Sequence, residues 1–142
     1  MTARLKGRRR QASAVIGSVT VWAQEQGDVS GLLLVGSYAY GRPRMRSDVD
    51  LVLLTTEVQR HVKGLDWILA FDPAARVIRT QAWGPLTERR VRLRSGLHAE
   101  LGVATPSWAS LPLDRGTRNV LRDGCKILYD PRDLLREALD AL

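Results

Sequence analysis

Asp48 and Asp50 head the run DVDLVLLT, residues 48–55. On a strand, residues two apart project to the same face. The two carboxylates therefore aim at one point, while Val49 and Leu51 face the other way. Neighbouring anions repel unless a cation lies between them. Hard oxygen ligands at this spacing suit Mg²⁺, with Mn²⁺ as the alternative ion. Taken alone, an Asp-x-Asp pair reads equally as two solvated aspartates at a strand entrance.

The preceding stretch adds to the chemistry. LLLVG, residues 32–36, is a short apolar run that ends at Gly36-Ser37. Glycine lets backbone approach a ligand closely. A helical turn starting at Ser37 would offer free N–H groups to an anion, and the Ser37 hydroxyl adds a donor. Phosphates beside a Mg²⁺ site are what a nucleoside triphosphate supplies. Arg42, Arg44 and Arg46 lie between the two elements. They read as phosphate ligands or as a solvated basic loop.

Transfer of a phosphoryl or nucleotidyl group with two metals calls for a third carboxylate, which completes the cage and accepts the attacking hydroxyl's proton. Glu100 is the candidate. It interrupts LHAELGVA, residues 97–104, among residues that prefer the core. A carboxylate there is costly unless paired or metal-bound. His98 shares its face by the period-two rule and is expected to be solvated or hydrogen-bonded, with lining the pocket as the alternative. Asp66, Asp72 and Glu88 fall where a surface role suffices.

These residues need a scaffold. Helical spacing covers 12–26 and, interrupted by Gly64, 58–71. Strands are expected over 32–36, 48–55, 75–84, 86–95, 97–104 and 125–130, with a short helical turn at SYAYG. Ser95-Gly96 marks a tight turn between two paired strands. A Pro-punctuated loop, TPSWASLPLD, precedes a helix over 115–123. The final helix is expected over 131–142, with Pro131 at its start. This order predicts an α+β domain with a mixed β-sheet. Residues 1–11 are expected as a basic, partly disordered N-terminal arm and 12–142 as a single domain.

Composition bounds the rest. The chain has 142 residues with 44% hydrophobic and 26% charged, which reads as one ordinary globular domain. No apolar run approaches the ~20 residues that span a bilayer, and the basic start lacks the apolar stretch of a secretory signal. The lone Cys125 cannot form an internal disulfide, which fits the cytoplasm, and it is expected as a small buried residue. Net charge is +7, and five basic residues fall in the first ten positions. That field suits a nucleotide, or nucleic acid held by the basic arm. Arg89, Arg90, Arg92 and Arg94 are expected on a solvated sheet face, with nucleic-acid binding as the alternative. The four tryptophans are expected in the core, with interfaces as the alternative.

Gly36-Ser37, ten residues, then Asp48-x-Asp50 resembles the signature of the minimal nucleotidyltransferases of the DNA polymerase β superfamily. SDVDLVLL matches that family's passage from acidic pair to buried strand. The stretch from Trp83 to Trp108 is similar to a subgroup of its bacterial members. The resemblance implies a nucleotidyltransferase core flanked by helices. Gly36 and Ser37 would bind a triphosphate. Asp48, Asp50 and Glu100 would hold two Mg²⁺ ions. The reaction would pass a nucleoside monophosphate, AMP from ATP being the first expectation, to a hydroxyl. Some members are antitoxins that adenylylate a tyrosine of a HEPN-type toxin; others modify aminoglycosides or polymerise nucleotides. Tyr40 stands where the family has an arginine, and Arg42 is the nearby residue to replace it, with Arg46 as a further nucleotide ligand. A chain of this size leaves little beyond the catalytic core. The acceptor is therefore expected to be a macromolecule, such as a partner protein, or to enter a pocket completed by a second copy in a homodimer.

Overall fold

The structure is a computed structural model and describes residues 2–142, apart from the side chain of Asp66. The elements run α1 (Ala3–Gln24), β1 (Val29–Val35), α2 (Ser37–Tyr40), β2 (Val49–Thr55), α3 (Val58–Lys63), α4 (Asp66–Phe71), β3 (Arg76–Trp83), β4 (Leu86–Arg92), β5 (His98–Ala104), a 3-10 turn (Pro106–Ala109), α5 (Arg115–Arg122), β6 (Cys125–Tyr129) and α6 (Leu134–Asp140). The fold is α+β. Its six strands form one sheet in the order β3-β4-β5-β2-β1-β6. β2 and β5 are parallel and every other pairing is antiparallel, so the sheet is mixed.

The central strands are buried on both faces, as continuous apolar runs require. Leu32, Leu34, Val49, Leu51, Leu53 and Leu101 pack on one face with α1 and α4. Leu33, Val52, Leu54 and Ala104 pack on the other with Trp108, Leu121 and Leu135. By the same alternation, Asp50, Glu100 and Arg90 belong to the second face. No helix among the described residues is long and apolar enough to cross a membrane.

Three expectations are corrected. The first helix begins at Ala3, so residues 3–11 continue it; Thr2 caps it, its Oγ1 accepting from the Leu5 amide at 3.1 Å. The 58–71 helix is two short helices, broken at Gly64, whose amide donates to the Arg60 carbonyl at 2.9 Å. The last helix starts at Leu134, leaving Pro131 in the preceding turn. The Asp130 carboxylate sets that start by accepting from the Leu135 and Arg136 amides at 3.0 and 2.9 Å. Asp72 has a turn role, accepting from the Ala74 and Arg94 amides. Asp66 falls outside the described side chains.

Arg89 also departs from the solvated-face expectation. It points to the α3/α4 side with Val91 and is 4% exposed. Its Nη1 donates to the carbonyls of His61, at 3.0 Å, and Gly64, and its guanidinium lies 6.0 Å from the Trp67 ring centroid. It satisfies carbonyls that the short α3 leaves open. Its burial pushes the guanidinium pKa down.

Beside it lies a buried polar cluster. Asp28 accepts from Thr55 Oγ1 and from His61 Nε2, each at 2.7 Å. His61 is 1% exposed, and Trp22 meets its ring edge-on at 5.2 Å. Burial would raise the Asp28 pKa, but the Thr55 and His61 hydrogen bonds outweigh it and hold the carboxyl below its usual value. Asp28→Ala would leave His61 and Thr55 buried without their acceptor. We expect a loss of about 1–3 kcal/mol, read as a lower urea midpoint at unchanged slope. The lowered pKa means this stabilisation is present above the unfolded value and lost as pH falls through the folded one. Wild type should therefore lose its advantage over the variant in acid. An unchanged midpoint at neutral pH would contradict this role.

Candidate active site

Strand register alone gathers four residues. Val35 pairs with Asp50, which places Gly36 at the end of β1 beside the acidic pair. Asp50 pairs with Glu100 across the parallel β2–β5 ladder. Glu100 pairs in turn with Arg90 on β4. Asp48, one residue before β2, projects to the same face as Asp50. One ligand oxygen from each of Asp48, Asp50 and Glu100 lies within 4.8 Å of the others.

Three carboxylates so close repel one another. Burial, reinforced by the charge of Glu100 and a hydrogen bond with it, pushes the Asp50 pKa up to about 8. Asp48 is also raised, chiefly by burial, with Arg90 opposing. The counter-charge present is Arg90. Its Nη2 lies 3.1 Å from Asp48 Oδ2, its Nη1 donates to Glu100 Oε1, and its Nε donates to His98 Nδ1 at 3.1 Å. His98 is thus a hydrogen-bonded residue that orients the arginine. The solvated-face expectation fails for Arg90 because its face of the sheet is the one that carries Glu100. The β4–β5 turn at Ser95-Gly96 fixes that register, and this was the signal available in the sequence.

Gly36 is required by the site itself. Its φ is +76°, and a Cβ there would lie 2.2 Å from Asp50 Oδ2. A side chain would strain the backbone and displace the carboxylate. Gly36 also starts α2, its carbonyl accepting from Ala39 and Tyr40, and Ser37 is the first α2 residue. Tyr40 lays its ring over Gly124. Arg42 is exposed on the loop that follows α2. Arg44 is exposed as well. Arg46 is exposed too, and lines one of the hollows beside the site.

Two hollows adjoin the carboxylates. One, of about 510 Å³, has Asp50, Glu88 and Glu100 on its wall and Trp83, Leu86 and Trp108 as apolar lining. Glu88 also pairs with Arg79 at 3.3 Å. Of the tryptophans, Trp22, Trp67 and Trp108 are buried, and Trp83 is 55% exposed at the mouth of this hollow. The other hollow, of about 330 Å³, is lined by Arg8, Arg46, Asp48, Arg90 and His98. Cys125 is half-buried, and its burial raises the thiol pKa.

The raised Asp50 pKa has a stability consequence. The folded state holds a proton that the unfolded chain releases above its ordinary pKa near 3.8. Stability is therefore lost as pH rises from there through about 8. Asp50→Asn removes this loss. In chelator, its melting temperature should fall less than wild type between pH 5 and pH 8, the gap growing by about 2–4 °C per kcal/mol relieved. Parallel melting curves across that range would contradict the close packing of the three acids.

No family model and no curated protein matches the chain. Among solved structures, it is similar to an aminoglycoside 6-adenyltransferase from Bacillus subtilis, with 13% identity, a TM-score of 0.47, and coverage of 66% of this chain and 35% of that one. It is also similar to the GLD-2/RNP-8 complex, with 19% identity, a TM-score of 0.42, and coverage of 72% of this chain and 41% of that one. The chain spans less than half the length of each of these two structures.

Proposed function

We propose that the chain is a divalent-metal-dependent nucleotidyltransferase that moves a nucleoside monophosphate from a nucleoside triphosphate to a hydroxyl. The observation that carries this reading is the convergence of Asp48, Asp50 and Glu100 from two adjacent strands to within 4.8 Å. The donor set fits a hard cation: three carboxylates, one of which keeps its proton because it is buried beside another acid, next to a glycine that leaves them room. Asp48, Asp50 and Glu100 would hold Mg²⁺, which supplies charge neutralisation at the transferring phosphoryl group and lowers the pKa of a bound hydroxyl.

The chain's own residues have separable parts in the reaction. Gly36 lets the backbone approach the donor phosphates, and Ser37 offers its amide and hydroxyl to them. A Glu100 carboxylate oxygen takes the proton of the acceptor hydroxyl. The acceptor oxygen attacks the α-phosphorus, the α–β bridging bond breaks, and pyrophosphate leaves in line with the attack. Arg90 holds Asp48 and Glu100 in place before substrate arrives, and His98 fixes the plane of its guanidinium. ATP is the first donor to test.

The test is transfer from labelled nucleoside triphosphates in Mg²⁺, with mass spectrometry of the acceptor. Wild type should add one nucleoside monophosphate. Asp48→Ala with Asp50→Ala should lose several orders of magnitude in rate while keeping its fold by circular dichroism. Transfer that survives the double substitution would sink the proposal.

A further inference from the structure

The basic hollow beside Asp48 is not explained by the donor site. Its role depends on the proposed nucleotidyl transfer, in which the donor phosphates belong at Gly36-Ser37, at the end of β1. The sheet order places β1 on one side of β2, and β5 and β4 on the other. In an in-line displacement the attacking and leaving oxygens occupy opposite sides of the phosphorus. The acceptor hydroxyl therefore approaches from the β5/β4 flank. That flank holds Arg8, Arg46, Arg90 and His98, with Asp48 as the acid among the lining residues.

Arg8 is the residue that points to a ligand. α1 carries it to the β4–β5 turn, where its Nη2 would lie 3.9 Å from a Cβ at Gly96. Its Nε and Nη1 are buried and have no hydrogen-bond partner among the described residues. The Tyr38 hydroxyl, near enough to feel the charges of Arg8 and Asp48, is buried and unpartnered too. Arg8 as a whole is half-buried, and leaving this edge of its guanidinium out of water without an acceptor is costly. A phosphate oxygen pair matches its fork. Arg4 stands one turn before Arg8 on the same side of α1 and is exposed, extending the positive track away from the site.

We infer that this hollow is an acceptor subsite for a phosphate group, so that the preferred acceptor carries a phosphate close to its reacting hydroxyl. A cationic acceptor of the aminoglycoside kind would be repelled here. The neutral phenol of a partner's tyrosine would bring no charge to meet Arg8. A phosphorylated small molecule and the 3′ end of a single-stranded nucleic acid both present the required chemistry.

Binding in chelator, without triphosphate, tests this separately from transfer. A fluorescent single-stranded ten-nucleotide probe is titrated across a salt series, with inorganic phosphate and a nucleoside 5′-monophosphate as competitors. Arg8→Ala should weaken probe binding about tenfold and reduce the salt slope by about one. Arg8→Lys should restore most of the affinity and guards against a folding defect. ATP binding in Mg²⁺, measured by calorimetry, should stay within about twofold of wild type in both variants. If the monophosphate competes as well as unlabelled probe, the subsite reads a single phosphate; if only the strand competes, it reads the strand; either result supports the inference. Unchanged probe affinity and slope in Arg8→Ala would overturn it. So would a loss confined to ATP binding, which would give the hollow to the donor. Failure of transfer with this binding intact would count against the nucleotidyltransferase reading alone.

Discussion

Electrostatic repulsion among three carboxylates is the constraint that organises this structure. Asp48, Asp50 and Glu100 are held together by strand pairing, not by mutual attraction. Burial, reinforced by this repulsion, leaves Asp50 holding a proton to about pH 8, and Arg90 bridges Asp48 and Glu100. Each response lowers the same repulsion that a cation between the carboxylates would lower. The close approach persists because β2 and β5 are anchored by apolar residues on both faces, which oppose local relaxation.

The two arginines at the middle of β4 show how one strand serves two ends. Arg89 faces the α3/α4 side, stacks against Trp67 and closes carbonyls at the end of α3. Arg90 faces the other side and balances the acids. Alternation puts successive side chains on opposite faces, so one arginine supports the scaffold and its neighbour supports the site. The Asp28–His61–Thr55 cluster sits at the other end of β2. It ties the end of β2 to the residue before β1, while the register of Asp50 is set by its pairing with Val35 and Glu100.

Much of this was legible in the sequence because buried strands write themselves as apolar runs. An acid inside such a run, Glu100 in LHAELGVA, stands out against its neighbours. The central strands were read from the same signal, whereas β3 and β4 were read from β-branched content and polar alternation. Arg90 was harder to read. Polar alternation in β4 looks like a wet face, and only the register fixed by Ser95-Gly96 sets Arg90 opposite Glu100. Arg8 was hidden for a different reason. Its surroundings are uniformly basic, so composition suggested an unordered arm, whereas a Thr2 cap starts the helix at Ala3. Arg42 lies exposed just past α2, which ends within one turn at Gly41.

The central claim is that the three carboxylates form a cation site that Arg90 occupies with its charge in the free protein. Anomalous diffraction from crystals of the whole chain soaked in Mn²⁺ with a non-hydrolysable triphosphate tests it most directly. The account predicts a manganese peak between Asp48, Asp50 and Glu100, with the Arg90 guanidinium moved off at least one of its two acidic partners. An empty site with Arg90 still bridging Asp48 and Glu100 would contradict it.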